Sequence, residues 1–207
     1  MTGFEKALKK LKEEGKKRKF SQTIDLIVNL KGIDLRKDNI SLIVELPLKF
    51  QDKKVCGFLT NKTELLTTIT KPEFVKYKEP DKLRGLVKEF DFFIAHASLM
   101  PAVAMTFGKA LGPAGKMPSP QLGIITEETE QVINPLLEKI SKSVKIRVKE
   151  ASVKVAIGKE NMKDEEIIAN ADAVYNAVVQ ALPTKKENVR NVLLKFTMSK
   201  PVKLEVK

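Results

Sequence analysis

The excess positive charge of this chain lies at its two ends, and that distribution limits how the chain can be divided into domains. Residues 54–141 hold 11 Lys+Arg against 10 Asp+Glu, whereas 1–53 and 142–207 together hold 27 against 16. The flanks therefore carry +11 of the formal net charge of +12, and the interior is close to neutral. At 207 residues the chain suits one large domain or two small ones. The economical division is a discontinuous basic domain built from 1–53 and 142–207, with a neutral domain at 54–141 inserted between its halves. So basic a balance makes a polyanion the first partner to consider. A solvated lysine-rich surface with no such partner is the alternative that charge alone leaves open.

Several classes drop out at once. Hydrophobic residues make up 43% of the chain, enough to bury a core and too many for a disordered one. The single cysteine, Cys56, excludes an intramolecular disulfide, and with one histidine an ordinary structural zinc site is excluded too. No apolar run approaches the roughly 20 residues of a membrane span. The N-terminal MTGFEKALKKLKEEGKKRKF reads as an amphipathic, charged helix without the apolar heart of a secretory signal. A soluble, cytoplasmic protein without a membrane partner or cofactor is expected.

Hydrophobic periodicity supplies a coarse map. Helices are expected at 4–17, at 21–31 with Ser21 as N-cap, at 101–111, at 127–141, and from an Asp164 cap to about 181. Strands are expected at 40–46, 54–59, 90–95, 143–149, 152–157, 189–196 and 201–206. Residues 62–88 read as strand or helix pieces separated by Pro72 and Pro80. GPAGKMPSPQLG (112–123) is too rich in glycine and proline for a regular element. Helices and strands alternate along the chain, so the class is α/β or α+β.

The motifs of catalysis fail on inspection. In GPAGK (112–116) a Walker loop would need glycine five residues before Gly115 and a hydroxyl after Lys116, but Ala110 and Met117 stand there. His96 follows an apolar strand, a place where active-site residues sit in α/β sheets, yet only Ser98 lies near. A structural hydrogen-bonding role fits it better. Cys56 lies in a strand-like run, where a small buried side chain is the ordinary reading. Glu127–Glu128 and Glu165–Glu166 are read as favouring the positive ends of helices.

Four segments carry a resemblance. PAVAMTFGKALGPAGKMPSP (101–120), led in by DFFIAHASLMP (91–101), resembles the Leu-Gly-Pro-Arg-Gly-Lys-Met-Pro segment of the family of large-subunit ribosomal protein one, the side-stalk protein, in its archaeal form. RKFSQTIDLIVNLKGIDLRK (18–37) resembles that family's N-terminal helix after a Phe-centred start. VAIGKENMKDEEII (155–168) resembles its Gly-Lys turn and following helix, and LLKFTMSKPVKLEV (193–206) its C-terminal strand with Thr-Met-Gly.

The resemblance implies a first domain made from both termini and an inserted, Rossmann-like three-layer domain joined by a two-stranded hinge. It also implies partners: the ribosomal RNA of the mobile side stalk, the exit-site tRNA whose release it helps, and the protein's own messenger RNA, whose translation it represses. The protein would be a monomer within the large subunit of the ribosome and would not be an enzyme. The implied RNA-binding residues are Lys19, Phe20, Thr23, Gly158, Lys159, Thr197 and Met198, with Lys109 and Lys116 as candidates for tRNA or stalk contact. Such a mix suits structured RNA, where hydroxyls and strand ends meet phosphate and 2′-OH groups while Phe and Met cover a base or sugar face. Without the resemblance, Phe20 would be read as stapling a helix start and Met198 as filling the core.

Three departures stand out. Ser199 takes the place of the glycine after Thr-Met, Ala114 that of the loop arginine, and LPLKFQDKK (46–54) lacks the His-Gly-rich turn at the start of the hinge. The reading of another class is a nucleotide-dependent or nucleic-acid-modifying enzyme with a pocket around His96 and Lys116.

Overall fold

A computed structural model describes residues 3–14, 18–33, 40–77, 79–148 and 150–204. The chain begins with α1 (Gly3–Glu14), β1 (Thr23–Leu30) and β2 (Ser41–Glu45). Next come β3 (Val55–Phe58), β4 (Thr67–Ile69), a 3-10 segment (Lys71–Tyr77), α2 (Pro80–Glu89) and β5 (Phe92–His96). A short 3-10 turn (Ala97–Leu99) leads into α3 (Met100–Ala114), followed by β6 (Ile124–Ile125) and α4 (Glu130–Lys142). The chain then runs through β7 (Ser143–Arg147), β8 (Ser152–Lys159), α5 (Asp164–Ala181), a 3-10 turn (Lys185–Asn188), β9 (Val189–Phe196) and β10 (Val202–Leu204). The class is α+β. Two compact units result, one of Met1–Gln51 with Lys142–Lys207, the other of Asp52–Ser141.

The first unit is a four-stranded antiparallel sheet of order β10-β9-β1-β8, with a separate antiparallel ribbon of β2 and β7. Along β1, Ile24, Leu26, Val28 and Leu30 are buried and the residues between them only half so. That alternation is the mark of a sheet covered on one face. The buried rows of β1, β8 and β9 share one core with Phe4, Leu8 and Leu11 of α1 and with Ile167, Val174 and Val178 of α5. The α1 residues recur at helical spacing, and Phe4 meets Tyr175 edge to face with ring centroids 6.2 Å apart.

The segment expected as a helix at 21–31 is therefore a strand, and Ser21 caps nothing. TIDLIVNL places Ile27 on the uncovered face, so Ile24, Ile27 and Val28 imitate helical spacing. The period-two row and the β-branched Thr, Ile and Val side chains prevail, because β1 is paired on both edges. The helix expected at 4–17 ends in the structure at Glu14, and 15–17 lie outside the described residues, as do 205 and 206 of the last expected strand.

The second unit is a parallel sheet of order β4-β3-β5-β6. Its core is aromatic: Phe58 stacks on Phe93 at 5.7 Å and lies 4.7 Å from Phe107 of α3. Cys56 is fully buried in this sheet, and burial, with a smaller contribution from Glu89, pushes its thiol up to about 12. The uncertain stretch 62–88 holds β4, the 3-10 segment and most of α2.

Regular structure also enters GPAGKMPSPQLG. α3 continues through Pro113 and Ala114 and stops at Gly115, which is left-handed with φ 70°. The Gly115 N–H donates to the Gly112 carbonyl (3.0 Å) and the Lys116 N–H to that of Leu111 (3.0 Å). This is a Schellman ending, and it needs glycine at the left-handed position. A helix C-terminus presents carbonyls, so the sequence that imitates a phosphate loop has the opposite polarity.

Candidate RNA interface

The sequence-derived residues converge on the end of the first unit's sheet where β1 begins and β8 and β9 finish. Thr23 pairs with Lys159 across the β1–β8 register, and Ile24 pairs with both Gly158 and Phe196. Between Ile24 and Asp25 the register shifts, because β8 carries one extra residue there. This bulge turns both Ile157 and Gly158 inward and leaves Lys159 exposed. Gly158 faces α5: a Cβ on it would lie 3.2 Å from Ile167 Cγ1 and 3.4 Å from Met162 Sδ. Gly158 and Lys159 thus close β8 instead of forming the expected turn, and Gly158 serves the packing of α5.

Thr197 and Met198 lie in the turn after β9, not on a strand. That turn is bonded to the start of β1. The Thr197 N–H donates to the Thr23 carbonyl at 3.1 Å. The Thr197 hydroxyl accepts from the Thr23 N–H at 3.2 Å and donates to the Thr23 carbonyl at 3.3 Å. One lone pair of the hydroxyl remains, so toward a ligand it acts as an acceptor.

Two residues that the sequence did not single out complete the arrangement. Gln22 is only 2% exposed, and its Oε1 accepts the Met198 N–H at 3.3 Å. The Gln22 N–H donates to Glu160 Oε2 at 3.3 Å, while the Glu160 N–H donates to the Gln22 carbonyl at 2.9 Å. A buried glutamine thus links the turn after β9 to the residue after β8. Its signal in the sequence was weak, one of three consecutive polar residues, Ser21, Gln22 and Thr23, before an apolar run. Ser199 fills its position without strain: its Oγ accepts the Phe196 N–H at 2.9 Å, and positive φ among the described residues is confined to Gly32, Gly115 and Lys185.

Phe20 and Met198 stand clear of this framework, 53% and 62% exposed. Neither staples a helix nor fills the core. Lys19 is exposed too. An aromatic ring, a thioether, a hydroxyl acceptor and two exposed lysines therefore lie at or next to one rigid sheet end. The arrangement offers apolar surface and positive charge to a large polyanion.

The residues suggested in the second unit are placed otherwise. Lys116 donates from Nζ to the carbonyls of Val87 and Phe90, each at 2.8 Å, which ends α2. Lys109 is exposed on α3. His96 accepts from the Ser98 N–H at Nδ1 (3.3 Å), and its Nε2 lies 2.9 Å from the Thr126 carbonyl oxygen, so both ring nitrogens are engaged. Glu128 lies before α4 and accepts from the Thr60 and Asn61 N–H groups at 2.6 and 3.0 Å. Burial would raise its carboxyl, but these backbone donors outweigh it and, helped by His96, hold the group below the usual range. Asp164 is likewise not a cap. Lys163 holds that position, its N–H donating to Glu166 Oε2 (3.3 Å), and the Asp164 carboxylate pairs with Lys12 of α1.

The fold and this sheet end define an α+β protein of two units that presents an exposed aromatic and thioether beside lysines. The chain belongs to the Ribosomal protein L1p/L10e family, whose model matches residues 8–200. It is 37% identical to large ribosomal subunit protein uL1 of Thermococcus kodakarensis, over 96% of this chain and 95% of that one. Identity to the uL1 proteins of Nanoarchaeum equitans and Methanocaldococcus jannaschii is 36% and 34%, covering 92% and 96% of this chain and 94% and 93% of theirs.

Proposed function

We propose that this protein is a structural constituent of the large ribosomal subunit and binds the ribosomal RNA of the mobile side stalk through the first unit. The observation that carries the reading is the pair Phe20 and Met198, large apolar side chains exposed beside Thr197, Lys19 and Lys159. Water is a poor neighbour for both, and a splayed base or ribose face is a good one. Membership of the family supports the same conclusion, because its archaeal relatives are named for the large subunit. From this position the protein assists release of exit-site tRNA, and it represses its own messenger RNA when that RNA offers a similar structure. It acts in the cytoplasm as a monomer on the ribosome.

The enzymatic alternative loses its support at the residues that suggested it. Lys116 ends a helix, and His96 is hydrogen-bonded at both nitrogens. Sedimentation at physiological salt tests the reading. Stoichiometric protein on large subunits is expected; a free protein that turns over nucleotide would refute it.

A further inference from the structure

We propose that the trough between α2 and α3 in the second unit docks an acidic, amphipathic helical segment of a protein partner. It encloses about 770 Å3. Leu83 and Val87 of α2 face Met105 and Ala110 of α3 across it, and Arg84, Lys88 and Lys109 stand among them. Both helices bury their other faces, through Leu86 and Phe90 on one side and Val103, Phe107 and Leu111 on the other, in the aromatic core. The trough is therefore held by rigid elements.

Met105 is 81% exposed, the most exposed large hydrophobic side chain among the described residues. A methionine in that setting adapts its unbranched chain to a partner's surface. Val87 is half-buried, while Leu83 is buried at the base of the trough, where it joins the aromatic core. The cations complement this floor in a regular way. Arg84 follows Leu83 and Lys88 follows Val87, so the two apolar–cation pairs lie four residues apart along α2. A helix with apolar residues at i and i+4 and carboxylates beside them matches both features at once. Arg84 pairs with Asp81 at 3.9 Å, both side chains being largely exposed (78% and 96%), so this ion pair is easily exchanged.

An RNA occupant fits less well. Phosphates would engage the three cations but leave Met105 and Val87 against charged backbone. The segment 54–141 that holds the trough has a net charge of only +1, without the excess that marks the rest of the chain. The inference is independent of the function proposed for the first unit.

The test uses the full chain and two synthetic helical peptides of one composition, one with leucines at i and i+4 flanked by glutamates, the other scrambled. The Met105 methyl resonance and fluorescence anisotropy report binding. The patterned peptide is expected to bind saturably and shift that methyl, and Met105→Glu or Lys88→Glu should weaken it about tenfold or more. Both side chains are exposed, so both variants should keep the wild-type melting temperature. Four outcomes overturn the proposal: no binding, equal binding of the scrambled peptide, binding indifferent to the variants, or a Met105 shift produced instead by stalk RNA, tRNA or self-association.

Discussion

The Thr197 hydroxyl lies 3.2 Å from the Thr23 backbone nitrogen and 3.3 Å from the Thr23 carbonyl oxygen, so one side chain closes the turn after β9 onto the first residue of β1. Met198 is held next to it with its side chain in solvent. Thr197→Ala should lower affinity for stalk RNA by roughly 1–3 kcal/mol, the scale of a hydrogen-bonding group left unsatisfied. Thr197→Ser keeps the hydroxyl and should retain most of the affinity. Filter binding of both variants checks this.

Gln22 should behave as a buried strut. Gln22→Ala frees the Met198 N–H and removes a partner of Glu160 in a site that is 2% exposed. A stability loss of about 1–3 kcal/mol in urea unfolding is expected, together with weaker stalk-RNA binding at temperatures where the protein stays folded. An exposed variant such as Lys9→Ala should leave stability unchanged.

Much of this site was legible before the structure, and the reasons are local. Phe20, Thr197 and Met198 stand out as candidates because the motifs that carry them are contiguous, and strands 189–196 and 152–157 because their alternation is clean. Helix 21–31 was misread because Ile27 faces the open side of the sheet, so its apolar character blurred the period of two. Gln22 was missed because its importance depends on Glu160 and Met198, both more than 130 residues away in sequence. The end of α3 was hidden by Pro113, which normally signals a break but is tolerated where a Schellman turn already releases the backbone. Lys12 of α1 is engaged by Asp164, so the exposed Lys9 is the better probe of general attraction between α1 and RNA.

Lys116 should matter for stability and not for RNA. Lys116→Met removes an ammonium that donates to two carbonyls at the end of α2. A loss of roughly 1–2 kcal/mol is expected, as for a cation at a helix C-terminus. Thermal unfolding should register it, while affinity for stalk RNA and tRNA stays at the wild-type value.

Acid should destabilise the second unit. Glu128 is held below the ordinary glutamate value of 4.5, and Glu73 is brought to about 2 by the Thr70 backbone N–H and then by Lys62. Because both values are depressed in the folded state, their contribution is complete above pH 4.5 and is lost as pH falls through the folded values. Melting temperatures measured from pH 6 downward should fall below about pH 4.5, and Glu128→Gln should flatten part of that slope.

The second unit should be dispensable for stalk-RNA affinity. β2 and β7 run antiparallel with Glu45 opposite Ser143, and the Leu46 N–H donates to the Lys142 carbonyl at 2.8 Å, so the two halves of the first unit meet without the insert. A chain with 54–141 replaced by a short Gly/Ser linker should fold and bind stalk RNA nearly as tightly as the whole. A folded chain that has lost most of its affinity would place a main contact in the insert.

The most direct measurement compares stalk RNA with an unrelated RNA duplex, titrated across salt concentrations, for the wild type, Phe20→Ala, Met198→Ala and Lys9→Ala. Phe20 and Met198 are exposed, so their removal should leave the melting curve in place. The account predicts that each loses roughly 1–3 kcal/mol on stalk RNA alone, with an unchanged salt slope, as for a lost base or sugar contact. Lys9→Ala should weaken both RNAs alike, with the log–log slope reduced by about 0.7–0.9 if it contacts one phosphate. Equal weakening of both RNAs by Phe20→Ala and Met198→Ala, in folded protein, would contradict the account and move specificity away from this end of the sheet.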